Sequence, residues 1–180
     1  MIAVMKIKQI IATCDKNGNI IGEIERWEAH KKGILHRAFT LALIYKGNYI
    51  LQHRKHPAFD GVFDITSSSH QLMKNGKLES TIEAATRTLF REWKIKQSDL
   101  KGKIKVTGAV YYKAKDEKSI YTEHEYCDIA EINLERIPEP NYEVAYGYSL
   151  VTKKELSNKN SRIHQLLAPW VKVAIEKKLI

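Results

Sequence analysis

With 180 residues, 43% hydrophobic and 28% charged, the chain is long enough for one domain with a real core and too rich in apolar residues for a disordered polymer. Its formal charge of +9 comes from lysines spread along the whole length, without a basic block or an aromatic–basic interleave, so it reads as a solvated surface that permits a small polyanion as partner without identifying one, and nucleic acid is not expected. No apolar run can span a bilayer, no small-residue cleavage site follows the N-terminus, and two distant cysteines, Cys14 and Cys127, suit a reducing cytoplasm better than a disulfide framework.

In chain order, residues 6–12 and 20–24 flank Asp15-Lys16-Asn17-Gly18-Asn19, which predicts a hairpin. The polar stretch 25–33 predicts a short helix or loop carrying His30. Residues 38–45 and 49–54 flank Lys46-Gly47-Asn48 and predict a second hairpin. The segment 56–70 holds Pro57, Gly61 and a Thr-Ser-Ser-Ser run, so loop is expected there with a short strand around 62–65. Lys74-Asn75-Gly76-Lys77 predicts a turn. Ser80-Thr81-Ile82-Glu83 is a capping box, and Ile82, Ala85, Leu89 and Trp93 recur at helical spacing, which predicts an amphipathic helix over 81–93. Strands are expected over 103–113, 121–132 and 145–151. A second capping box at Thr152 opens a short helix, and a terminal helix runs from Pro169 to about residue 179. The pattern has no internal repeat and no linker, and the expected class is α+β in a single domain over residues 1–180.

Chemistry-bearing residues are concentrated in three places: His30 and His36 in HKKGILHRAF, His70 in TSSSHQ, and Glu123 and Glu125 in YTEHEY. Any one of these histidines alone would read as a surface or core residue. On a strand, Glu123 and Glu125 point to the same face, where two half-buried carboxylates repel unless a cation or proton joins them. Imidazoles with carboxylates suit a borderline divalent ion such as Zn²⁺, Mn²⁺ or Fe²⁺.

The ordered series HKKGILHRAF, TSSSH, the helix ending Arg91-Glu92, YYKAKD, EHE and APW covers nearly the whole chain and resembles type I isopentenyl-diphosphate isomerase, a branch of the Nudix superfamily. That resemblance implies a Nudix-type mixed β-sheet sandwiched by helices and isomerisation of isopentenyl diphosphate to dimethylallyl diphosphate. It implies a divalent metal (Mn or Zn) on His30, His36, His70, Glu123 and Glu125, and a diphosphate-bound Mg²⁺ helped by Glu92. Tyr112 matches the tyrosine beside the acid Glu125, Trp170 the indole facing the substrate's carbocation, and Arg26 and Arg54 the basic residues for the diphosphate.

The chain departs from the family at Ser68, which stands where the catalytic cysteine is expected, and at Thr88, where a diphosphate-binding arginine is usual. A serine hydroxyl is far less acidic than a thiol and needs an adjacent base. Slow turnover is therefore expected, and Ser68→Cys is expected to raise it. A Nudix-type hydrolase of a nucleoside or prenyl diphosphate is the alternative, but of the carboxylates in Arg-Glu-x-x-Glu-Glu only Glu92 survives in Arg87-Thr88-Leu89-Phe90-Arg91-Glu92. A non-catalytic diphosphate-binding relative is the third reading. Substrate identity, metal identity and oligomeric state are not written in the sequence.

Overall fold

The computed structural model describes residues 8–180. The first expected strand is described from Lys8 onward, and residues 6 and 7 of that expectation lie outside the described residues. Strands β1 (Ile10–Cys14) and β2 (Ile20–Glu25) pair antiparallel through a turn in which Asp15 Oδ1 accepts from the amides of Asn17 and Asn19 at 2.8 and 3.0 Å. The polar stretch that follows is helix α1 (Arg26–Lys32), capped by Glu25 in front and by Gly33 behind. Gly33 adopts φ 61°, the left-handed conformation that ends a helix, and its turn brings the chain straight into β3 (His36–Tyr45). His30 and His36 are thereby joined by one tight corner.

Strand β4 (Asn48–Arg54) returns antiparallel to β3, and β5 (Phe63–Asp64) pairs with β4. The serine run expected as loop is instead a strand, β6 (Ser67–Ser69), paired to β3 as Thr40↔Ser68 and Phe39↔Ser69. Serine has little strand preference. Here the pairing decides, together with partners for the polar side chains: Trp93 Nε1 donates to Ser67 Oγ at 3.1 Å, and Thr66 Oγ1 donates to the Ile50 carbonyl at 2.6 Å. Thr66 sits at φ 87°, an uncommon conformation for a β-branched residue, held by that hydrogen bond and by the Leu43 amide.

After the hairpin β7 (Met73–Lys74) and β8 (Lys77–Leu78) comes α2 (Thr81–Trp93), whose capping box is formed as expected. Its buried face is Ala84, Ala85, Thr88, Leu89, Glu92 and Trp93; Ile82, in the first turn and expected on that face, is instead 47% exposed. A 3₁₀ turn (Gln97–Asp99) leads to β9 (Lys105–Lys115), shifted two residues C-terminal to the expected ends, and β10 (Thr122–Leu134), which starts one residue and ends two residues later than expected. Strand β11 (Ala145–Val151) and helix α3 (Lys153–Ser157) fall as expected. Helix α4 (Arg162–Leu166) was not anticipated, since five residues are too few to show a period, and α5 (Pro169–Glu176) ends before residue 179.

The sheet is mixed: β10 runs parallel to β3 and antiparallel to β9, and the path β11-β4-β3-β1-β2 is antiparallel where adjacent. One face packs Phe39, Leu41, Leu43 and Ile50 against Ala84, Ala85, Leu89 and Trp93 of α2. The other packs Ala38, Ala42, Val110, Cys127 and Ile129 against Leu167, Val171 and Ala174 around α5. Each fully buried Leu or Ile contributes roughly 1.5–3 kcal/mol, so both helices are held by the sheet rather than by their short intrinsic helicity. The α+β class and the helix–sheet–helix layering agree with the sequence reading.

One clasp joins the serine strand to α2. Glu79 accepts from Arg87 Nη2 at 2.8 Å, Lys74 Nζ at 2.5 Å and the Leu72 amide at 3.1 Å, while Arg87 also donates to the His70 carbonyl at 2.9 Å. Partial burial acts to raise the Glu79 carboxyl, but these donors prevail and hold it at about 2, below its usual 4.5. A depressed folded value means the stabilisation is complete above pH 4.5 and is lost as pH falls towards 2. Glu79→Gln is expected to cost about 1 kcal/mol at pH 7 after solvent screening of its partners. Urea denaturation should show the gap to the parent closing across that acidic window; a gap independent of pH would count against the clasp.

Candidate metal centre and anion cavity

Strand register assembles the centre. Glu125 is paired with His36 on one side and with Tyr112 on the other, so three functional side chains form one row across β3, β10 and β9. The row lies on the α5 face, with Glu123 two residues away on the same face of β10. Helix α1 adds His30, and the chain leaving β6 adds His70. All five expected ligands are buried, and one donor atom from each lies within 4.8 Å of every other. Donors around a single ion at about 2.0–2.2 Å lie up to about 4.4 Å apart, so the cluster is close to the dimensions of one coordination sphere.

The histidine orientations favour a cation over a proton network. Nδ1 of His30 lies 2.6 Å from the Arg26 carbonyl and Nδ1 of His36 lies 2.7 Å from the Ile34 carbonyl; both carbonyls accept, so Nδ1 is the protonated nitrogen and Nε2 faces the centre. There His30 Nε2 stands 3.0 Å from Glu123 Oε2, His36 Nε2 3.2 Å from His70 Nε2, and His70 Nε2 3.1 Å from Glu125 Oε1. The His30–Glu123 pair is close, yet Glu123 Oε2 has no hydrogen-bond partner, so two lone-pair-bearing atoms face each other. Burial would lower His30, but the Glu123 charge overrides it and raises it; burial and the other two imidazoles push His70 well below its usual value. Burial would raise Glu125 too, but the His36 contact outweighs this and holds it at about 2. Three imidazoles and two carboxylates therefore fit a borderline divalent ion.

Glu125 also accepts a short hydrogen bond from the Tyr112 hydroxyl. Burial and the Glu125 charge push Tyr112 well above 10. Tyr112 lines a cavity of about 300 Å³ together with Arg26, Arg54, Ser68, Glu92, Glu125 and Trp170. With His30, His70 and Glu123 also on its wall, every site residue expected from the sequence borders this cavity except His36, which lies fully buried behind it. A larger groove, about 1150 Å³, lies between the end of α2 and the connection from β10 to β11 and touches none of them.

The basic residues have more partners than their sequence context suggested. Arg54 Nη1 donates to Asp64 Oδ2 at 2.9 Å, and Arg26 Nη1 donates to Gln9 Oε1 at 2.7 Å. Nε of each is buried without a partner. Burial, with Arg91 nearby, pulls the Arg26 guanidinium down to about 10, a penalty that a bound anion would relieve. Between the two arginines stands His56, with Nε2 3.2 Å from Arg26 Nη2 and Nδ1 3.0 Å from the Ala58 carbonyl. Burial and the Arg54 charge push His56 down to about 3, so it is neutral, and donors face both ring nitrogens: Arg26 Nη2 at Nε2, and Arg54 Nη2 at 3.1 Å with the Ala58 amide at 3.2 Å at Nδ1. Glu92 accepts from Arg91 Nη2 at 2.6 Å and stands outside the five-ligand cluster. Thr88 is buried on the inner face of α2, and its hydroxyl has no partner.

Sequence reasoning missed Asp64 and His56. Asp64 is fully buried and accepts from Trp170 Nε1 at 2.8 Å, Ser68 Oγ at 2.9 Å and the Ile65 amide at 2.8 Å, besides Arg54. Its one sequence signal was a carboxylate between two apolar residues, Phe63 and Ile65, in a short strand. A bridge from Phe63 to Leu167 brings the start of α5, and so Trp170, onto that strand.

A helix-flanked mixed sheet carrying this cavity is the Nudix fold. The chain superposes on a Deinococcus radiodurans protein with TM-score 0.65 at 15% identity, covering 95% of this chain and 97% of that one. It superposes on a MutT Nudix hydrolase from Burkholderia pseudomallei with TM-score 0.53 at 16% identity, covering 79% and 96%. No family model matches the sequence. Within that fold the chain belongs to the isopentenyl-diphosphate isomerase family: it is 30% identical over 190 residues to isopentenyl-diphosphate Delta-isomerase 1 of Mesocricetus auratus, covering 96% of this chain and 83% of the relative. It is 31% identical over 188 residues to the enzyme of that name from Mus musculus, covering 94% and 82%.

Proposed function

We propose that the protein is a metal-dependent isomerase that converts isopentenyl diphosphate to dimethylallyl diphosphate by protonation and deprotonation, and that it works in the cytoplasm. The observation that carries this reading is the shared cavity: a hydrogen-bonded Tyr112–Glu125 pair, the Ser68 hydroxyl and the Trp170 ring border one 300 Å³ space with Arg26 and Arg54. Moving a double bond by one carbon requires an acid at the terminal alkene carbon, a tertiary cation, and loss of a different proton. In this reading Tyr112 and Glu125 supply the first proton. Trp170 offers a π face that stabilises the cation without trapping it, its ring oriented by Asp64 at the indole N–H and by Arg54, 5.1 Å from the ring centroid. Arg26 and Arg54 hold the diphosphate, and the orphaned Nε of each is a donor available to it.

His30, His36, His70, Glu123 and Glu125 would hold a Mn²⁺ or Zn²⁺, which when bound supplies the charge that fixes Glu125 and tunes the acidity of its tyrosine partner. Glu92 is the carboxylate we assign to a Mg²⁺ that arrives with the diphosphate. Hydrolysis would require further carboxylates on α2, but two of their positions hold Thr88, which is buried, and Arg91, which donates to Glu92. Cys14 and Cys127 are both unpaired, which supports a reducing compartment, and among the described residues no helix is long and apolar enough to cross a membrane.

Isopentenyl diphosphate in deuterated water distinguishes the readings. Deuterium uptake and dimethylallyl diphosphate formation without phosphate release are expected. Phosphate release would select a hydrolase, and binding with neither reaction would select a non-catalytic relative.

A further inference from the structure

Ser68 stands where a thiol was expected, yet the structure surrounds it with a hydrogen-bond chain. Its Oγ lies 2.9 Å from Asp64 Oδ1 and 2.8 Å from Thr40 Oγ1, which is in turn 3.5 Å from Cys127 Sγ. Asp64, fully buried and ion-paired with Arg54, is a carboxylate and only accepts. Ser68 must therefore donate to Asp64, and Thr40 must donate to Ser68. A hydroxyl has one proton and two lone pairs. The proton points at Asp64, one lone pair is taken by Thr40, and the second is left over on a residue that borders the cavity. The thiol of Cys127 is separated from Ser68 by the Thr40 hydroxyl, is buried, and does not border the cavity.

We infer that Asp64, acting through Ser68, is the proton acceptor of the deprotonation step, the two together standing in for the missing thiol; this rests on the isomerase reading above. The C–H bond beside the tertiary cation breaks and its electron pair becomes the new C=C bond. The proton passes to the free lone pair of Ser68 Oγ as the Ser68 proton passes to Asp64 Oδ1. Serine begins and ends as a neutral hydroxyl, the carboxylate becomes the neutral acid, and no co-reactant is consumed. Solvent later restores the proton of the Tyr112–Glu125 pair and removes the one on Asp64. A hydrogen adjacent to a carbocation is very acidic, so a hydroxyl backed by a carboxylate is base enough, although serine alone is a poor one.

Failure of this step has a particular signature. If the cation forms but cannot lose its internal proton, it reverts by losing one from the new methyl group, and isopentenyl diphosphate acquires deuterium at its terminal methylene without conversion. The full-length protein, given Mg²⁺, Mn²⁺ and isopentenyl diphosphate in deuterated water, is followed by NMR. Asp64→Asn and Ser68→Ala are each expected to keep methylene exchange, to lose conversion on the order of 10²–10⁴-fold, and to leave KM within a few-fold. The double variant should be no worse than either single one, as for residues acting as a unit. Ser68→Cys placed in the Asp64→Asn background should restore conversion, because a thiol with an ordinary pKa of about 8.5 needs no carboxylate behind it. Asp64→Asn leaves Arg54 buried without its ion pair and can unfold the chain; Ser68→Ala keeps that pair and carries the test by itself. Exchange and conversion falling in parallel in Ser68→Ala, or a raised KM at unchanged kcat, would overturn the assignment. A parent that shows neither exchange nor conversion would remove the isomerase reading, and the assignment with it.

Discussion

Tyr112→Phe is expected to lower conversion of isopentenyl diphosphate on the order of 10²–10⁴-fold while leaving the bound metal in place. The phenol is buried and donates to Glu125, which is itself shared with His36 and His70. Phenylalanine conserves the ring and its packing beside Trp170, with centroids 6.0 Å apart, and removes only the transferable proton. Glu125→Gln should go further, because the same carboxylate serves both the tyrosine and the five-donor cluster. Its loss is expected to abolish conversion and to weaken metal retention together. The two variants thus separate acid chemistry from ligation, read by single-turnover conversion and by elemental analysis. A Tyr112→Phe variant with turnover within a factor of a few of the parent would show that the acid lies elsewhere and that the row across the three strands is only structural.

His70→Ala is expected to take metal content from near stoichiometric to trace, and conversion with it. His70 bridges the cluster, with Nε2 3.2 Å from His36 and 3.1 Å from Glu125, so no neighbour can substitute for its donor. The matched control is His164→Ala. His164 is also buried, but its Nδ1 bonds the Leu156 carbonyl at 2.6 Å, remote from the centre in the α4 turn. That variant should lose some stability and no metal. A second readout is independent of turnover: a chelator should lower the Tm of the parent, where an ion that binds only the folded state stabilises it by mass action, and should leave the Tm of His70→Ala unmoved. Equal metal retention in both histidine variants would sink the five-residue centre.

What the sequence determined by itself was local or periodic. The capping boxes at Ser80 and Thr152, the glycine turns and the α2 pattern are written in a few adjacent residues, and they were legible because the physics of caps and turns is short-range. The site residues were legible for a different reason. Five ligands in three segments resembled a known family in order and spacing, and the i, i+2 rule alone put Glu123 and Glu125 on one face. What only the tertiary structure decided depends on register between segments far apart in the chain. The parallel pairing of β10 with β3 sets His36 beside Glu125, 89 residues later, and the antiparallel pairing with β9 sets Tyr112 on the other side. Ser67–Ser69 became a strand because β3 offered it a ladder, against its own propensity. Asp64 gave no periodic signal, and its four donors come from Arg54, Ile65, Ser68 and Trp170, a set that spans more than half the chain. A buried carboxylate takes its meaning from whichever groups the fold brings to satisfy it, and those groups meet only when the sheet and α5 have closed around it.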